Sequence, residues 1–172
     1  MKQSKGDIRI YVACLAAYNN GYLHGAWIDA EQDAYDIYAD VRAMLATSPV
    51  EDAEEWAIHD YEGFEGAPVS EYMGFEQVAE LAAFIAEHGE IGGKLVEYFH
   101  DLDDARRAIE DAYAGAYRSL ADFAEEITEE TGEVPDNLRY YIDYERMARD
   151  LEISDVFVIE TGFEQVHVFW SL

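Results

Sequence analysis

Acidic residues run along the whole chain instead of collecting in a tail, and this placement constrains the fold more than any other feature. Between Ile10 and Gly93 the one basic residue is Arg42, while 17 Asp and Glu fall in the same stretch. From Lys94 onward there are 20 acids and seven bases. The remaining bases, Lys2, Lys5 and Arg9, sit at the extreme N-terminus. No long homopolymeric run and no clear internal repeat interrupts the pattern. Folded elements must therefore carry the charge, at spacings that helices and strands fix.

The chain has to fold despite that charge. Its 172 residues hold 38 acids against 11 Lys and Arg, a formal charge of -27. Self-repulsion on this scale costs stability. Yet half the residues are hydrophobic and 14% are aromatic, too apolar for a disordered acidic tail. A surface this acidic repels nucleic acid and anionic membranes and attracts basic proteins or cations. The single cysteine, Cys14, has no internal partner and there is no CxxC pair, which fits a reducing cytoplasm and argues against structural zinc. The first residues lack the apolar core of a signal peptide, and no apolar run approaches the roughly 18 to 20 residues of a membrane span. The expectation is a soluble cytoplasmic protein with no membrane and no nucleic acid as partner.

Periodicity divides the chain into three parts. Ile8 to Cys14 reads as a strand, Asn20-Gly21 as a turn and Tyr22 to Asp29 as a second strand. Glu31 to Thr47 carries apolar residues at helical spacing, and Glu54 to Tyr61 reads as a third strand, with a helix as the alternative. Gly63, Gly66 and Pro68 mark a boundary. Phe75 to His88 predicts an amphipathic helix stopped by Gly89, and Gly92-Gly93 predicts a break. Two short helices follow, Leu95 to Phe99 and Asp103 to Ala112, the latter capped by Asp101. Tyr113 to Arg118 predicts a short strand, and Ser119 caps a helix ending near Gly132 with Leu120, Phe123 and Ile127 inward. A helix from about Asn137 to Asp150 and a hairpin of Val156 to Glu160 with Gln165 to Trp170 complete the reading. The fold class is α+β, in three small domains: residues 1–62 (α+β), 63–112 (all-helical) and 113–172 (α+β).

Signals for chemistry are weak. Asp101, Asp103 and Asp104 suggest a calcium loop, but Arg106 stands where an EF-hand loop needs glycine. His24, His59, His88, His100 and His167 have no metal-ligand spacing. No P-loop, GxSxG or GxGxxG motif is present. With so many acids, any carboxylate pair is uninformative about glycosidase chemistry. No catalytic residue, metal or cofactor is expected. Trp27, Trp56 and Trp170 are expected in the core. Arg146 and Arg149 are expected to pair with neighbours such as Glu145 and Asp150, or to serve dimer contacts.

The charge suits one partner class. Duplex DNA carries one charge per ~1.7 Å, so this surplus matches roughly 46 Å of duplex, and a dimer roughly 92 Å. Neutral readings compete: an acidic module for another basic DNA-binding protein, or a halophile-adapted soluble domain.

Specific strings carry the reading further. They are Ile10-Tyr11-Val12-Ala13, Tyr18-Asn19-Asn20-Gly21, Gly25-Ala26-Trp27, Glu55-Trp56-Ala57-Ile58-His59-Asp60-Tyr61-Glu62, Gly132-Glu133-Val134-Pro135, Tyr141-Ile142-Asp143-Tyr144-Glu145 and Ala148-Arg149-Asp150-Leu151. In this order, across most of the chain, they resemble the ArdA antirestriction family. The resemblance implies an elongated three-part protein that dimerises through its C-terminal part and travels on mobile genetic elements. It implies a DNA mimic that occupies the DNA-binding groove of type I restriction–modification enzymes, at the specificity and methyltransferase core. Restriction is blocked; modification by the same enzyme is a second candidate for inhibition. The family's antirestriction motif would correspond to about Tyr117 to Glu130.

The expected partner-binding surface has three parts. The first part supplies Asp29, Glu31, Asp33, Asp36, Asp40, Glu51, Asp52 and Glu62. The middle supplies Glu65, Glu71, Glu76, Glu80, Glu87, Glu90, Asp101, Asp103, Asp104, Glu110 and Asp111. The last supplies Asp122, Glu125, Glu126, Glu129, Glu130 and Glu133. Tyr140, Tyr141 and Tyr144 are expected in the core or the homodimer interface.

Overall fold

The computed structural model describes residues 7–172. They form two compact units, divided between His100 and Asp101, each built on one three-stranded antiparallel sheet with helices. The fold is α+β as expected. The division into units falls at His100.

In the first unit β1 (Arg9–Cys14) lies between β2 (Gly25–Asp29) and β3 (Trp56–Glu62). Strand side chains alternate, so Ile10, Val12 and Cys14 are buried while Arg9 and Tyr11 face outward. A short helix, α1 (Leu15–Asn19), precedes the expected turn at Asn20-Gly21, and β2 begins at Gly25, three residues after the predicted start. Helix α2 (Ala34–Ala46) turns Ile37, Val41 and Met44 inward. Helix α3 (Phe75–Phe99) adds Phe75, Val78, Leu81, Ala82 and Ile85. Each of these side chains larger than alanine, fully buried, contributes about 1.5–3 kcal/mol.

Two glycine expectations fare differently. Gly89 leaves helical geometry, with φ 65° and ψ -142°, but the helix resumes beyond it. Gly92 and Gly93 do not break the chain; both are buried inside α3, and Leu95–Phe99 continues the same element. The reason is packing: a Cβ on Gly93 would overlap the Glu65 carbonyl, so the glycine lets the 64–65 backbone lie against the helix. A local-propensity argument sees a helix breaker where the fold needs a close approach.

The second unit opens with α4 (Leu102–Arg107), capped by Asp101, whose carboxylate accepts from the Asp104 amide at 2.9 Å. A π-helical turn at Ala108–Ala112 leads into β4 (Tyr113–Tyr117). Helix α5 (Leu120–Thr131) is capped by Ser119, whose Oγ accepts from the Asp122 amide at 3.1 Å. The expected helix from Asn137 starts later. Residues 139–141 make a single 3₁₀ turn, Ile142 is extended, and α6 (Tyr144–Ser154) begins where the Asp143 carboxylate caps the Arg146 amide. Strands β5 (Val156–Gly162) and β6 (Gln165–Trp170) form the expected hairpin, and the sheet order is β4-β6-β5. Phe123, Val156 and Val168 centre the core, with Leu120, Ile127 and Leu151 packed against them.

The tryptophans are not core residues. Trp27 is 38% exposed and Trp170 44%, while Trp56 is half-buried and stacks on Phe75 at 4.2 Å. Trp27 lies on the sheet face opposite buried Ile28, over Tyr11, so strand alternation places it outward. Among the described residues Arg146 and Arg149 are in no ion pair, although Glu145–Arg149 and Arg146–Asp150 stand four residues apart on α6, within reach of each other. Among the described residues no helix is long and apolar enough to cross a membrane.

Candidate functional site

The functional candidate is a surface, since no charged side chain among the described residues is buried. Of the acids expected to meet a partner, Asp29, Glu31, Glu65 and Asp104 are half-buried and all the others are exposed. Asp29 accepts from the Glu31 amide at 2.8 Å, and Asp104 approaches Arg107 at 3.5 Å.

Three helices set most of the spacing. Asp33 stands at the N-cap of α2, followed by Asp36 and Asp40 at three- and four-residue steps. Glu76, Glu80 and Glu87 share one outward face of α3 by helical phase, and Glu90 lies just past the Gly89 break. Among the described residues, Asp33, Asp36, Glu51, Asp52, Glu76 and Glu80 are in no ion pair. Around the capped start of α4, by contrast, Arg106 pairs with Asp103 at 3.3 Å and Arg107 with Asp104.

Helix α5 carries the densest array. Leu120, Phe123, Ala124 and Ile127 turn inward, so Asp122, Glu125, Glu126, Glu129 and Glu130 are left outward. Carboxylates three or four residues apart have Cβ atoms about 5–6 Å apart, and each such like-charge pair costs about 0.2–0.5 kcal/mol. Glu129 and Glu130 also meet the negative end of the helix dipole. Among the described residues the one ion pair to this face comes from Arg139, at 3.9 Å from Glu129 and 3.7 Å from Asp136. This arrangement opposes folding and leaves its carboxylates available.

Tyr117, at the end of β4, reports the field of this array. Its hydroxyl is pushed up to about 12 by burial first, then by a hydrogen bond to Glu126 and by the charges of Glu126 and Glu130. Tyr113 is raised as well, through burial. Its hydroxyl meets His167 Nδ1 at 2.8 Å.

The expected tyrosine cluster is divided. Tyr140 and Tyr141 are 93% and 85% exposed and lie outside the core of their unit. Tyr144 is half-buried, and its hydroxyl is enclosed without a hydrogen-bond partner. Sequence reasoning missed two grooves in the first unit that share Glu54 and Trp56. Their signal was present as aromatics interleaved with acids, but it was assigned to the core. Among the described residues no group of three or more His, Cys, Asp or Glu is placed to hold a metal ion.

Comparison with known proteins agrees with the resemblance in the sequence. No curated protein matches the chain. The family model described as antirestriction protein (ArdA) matches residues 10–165, which include every helix and the strands except most of β6. The chain belongs to the ArdA antirestriction protein family.

Proposed function

We propose that the acidic surface stands in for the phosphates of duplex DNA and occupies the DNA-binding groove of a type I restriction–modification enzyme. Family membership implies antirestriction and an interaction with restriction enzymes. The α5 array is the observation that carries the finer reading. Its carboxylates are exposed, poorly neutralised and held at fixed spacing by a capped helix, at a cost to folding that solubility alone does not require.

The mechanism is occupation without turnover. Lys and Arg that neutralise phosphates in the enzyme's groove meet carboxylates instead, brought in by long-range attraction. A carboxylate array offers no phosphodiester to cut and no base to methylate. Because phosphate contacts fix position while base contacts specify sequence, such inhibition is insensitive to the enzyme's target sequence. The proposal includes a homodimer formed through the C-terminal part. Support for it comes from the bare rings of Tyr140 and Tyr141 and the enclosed Tyr144 hydroxyl. It also includes the three-part organisation at residues 62 and 112 and a cytoplasmic site of action.

The test is displacement. The protein is titrated into a type I methyltransferase core bound to labelled DNA, at two salt concentrations. Displacement near one dimer per enzyme, weaker at high salt, is expected. A folded sample that releases no DNA would transfer the acidic surface to another basic partner.

A further inference from the structure

The first unit holds a groove of about 440 Å³ lined by Leu15, Glu54, Glu55, Trp56 and Tyr72. Its wall is fixed, because the Leu15 amide donates to the Glu55 carbonyl at 3.0 Å and Trp56 stacks on Phe75. Glu54, Glu55 and Tyr72 are exposed, Tyr72 by 67%. Among the described residues neither Glu54 nor Glu55 is in an ion pair.

The same unit shows what such a lining holds. The Arg42 guanidinium lies over the Tyr38 ring at 5.2 Å, in the neighbouring groove that shares Glu54 and Trp56. The Arg9 guanidinium lies over Trp27 at 4.7 Å while its Nη2 stands 2.7 Å from Glu62. Twice, then, this chain places an arginine guanidinium over an aromatic ring, once with a carboxylate alongside. The Leu15–Tyr72 groove has the rings and the carboxylates, but no arginine of the described chain among its lining residues.

We propose that this groove receives an arginine side chain of the partner, with its guanidinium against the exposed Tyr72 ring and paired with Glu54 or Glu55. The inference rests on the reading of the chain as an inhibitor of a basic, DNA-gripping enzyme, and adds a preference within it. Carboxylates alone attract lysine and arginine alike. A planar guanidinium also stacks on an aromatic face and forks onto a carboxylate, which an ammonium cannot match.

The experiment measures binding of arginine and lysine homopeptides of equal length to the full-length protein by calorimetry, beside the DNA-displacement assay. The arginine peptide is expected to bind about fivefold tighter. Tyr72→Ala should bring the ratio close to one, and Tyr72→Phe should preserve it. Phe163→Ala, an exposed aromatic in the second unit, should leave it unchanged. Glu54→Gln with Glu55→Gln should weaken both peptides. Circular dichroism verifies that each variant is folded. Equal affinity for the two peptides, or a ratio indifferent to Tyr72→Ala, overturns the inference. Failure of displacement with the peptide ratio intact overturns the antirestriction mechanism and leaves the arginine groove standing.

Discussion

The two units hold the same number of acids, yet the first has twice as many buried apolar residues and a longer chain over which to spread the charge. In the first unit the sheet, α2 and α3 enclose a core that runs from Ile8 to Val96. In the second, Phe123 and a few strand residues must hold α5, whose outer face repels itself. Arginines are also distributed unequally: the second unit has Arg106, Arg107, Arg118 and Arg139 in ion pairs, all at the surface. Exposed pairs of this kind contribute at most about 1 kcal/mol each. The second unit is therefore the one in which acidic surface and stability compete most directly.

The largest way to break this contrast is through the thinner core. Phe123→Ala should cost about 3–5 kcal/mol. Hydrogen exchange on the full chain should then show β4, β5 and β6 losing protection while β1 keeps it. Equal loss in both units would mean that they unfold together and that the contrast has no energetic content.

The next effect has the opposite sign. Replacing Asp122, Glu126, Glu129 and Glu130 by Asn or Gln removes several like-charge neighbours. It should stabilise the second unit by about 1 kcal/mol at low salt, as read by thermal melting. The same variant should displace DNA from a restriction enzyme poorly. Unchanged displacement would move the binding face away from α5. Glu126→Gln alone should change little, because the effect is distributed.

The smallest effect is a pH signature confined to the second unit. Tyr117 keeps its proton more tightly when folded than unfolded. Above the usual tyrosine value near 10 the unfolded chain releases that proton first, so stability falls as the pH climbs toward about 12. Tyr117→Phe should flatten that decline, leaving a smaller one from Tyr113, which is also raised. An unchanged decline in Tyr117→Phe would place its cause elsewhere.

Legibility in the sequence followed the same division between local and tertiary causes. The caps at Asp101 and Ser119, the alternation of β1 and the β5–β6 hairpin were readable, because a few neighbouring residues determine them. The inward face of α5 was readable from its apolar spacing, and its acidic face followed from that. Gly92-Gly93 was misread, because the Glu65 backbone that needs the glycine is distant in sequence. Trp27 and Trp170 were misread because large aromatics were assigned to the core by type, while Trp27 lies on the outward face of β2 and Trp170, on the face of buried Val168 and against Phe123, ends β6 and stays 44% exposed. The family was readable because its strings are distributed over nearly the whole chain. The groove at Tyr72 was not, because it joins residues from three segments that meet through the fold.

The central claim is that many carboxylates act together as substitute phosphates. The salt dependence of the dissociation constant for a type I methyltransferase core tests it most directly. The account predicts a steep, smooth rise of at least about tenfold between low and physiological salt, with a shallower slope when the α5 face is neutralised. A dissociation constant that stays flat across that range would contradict it.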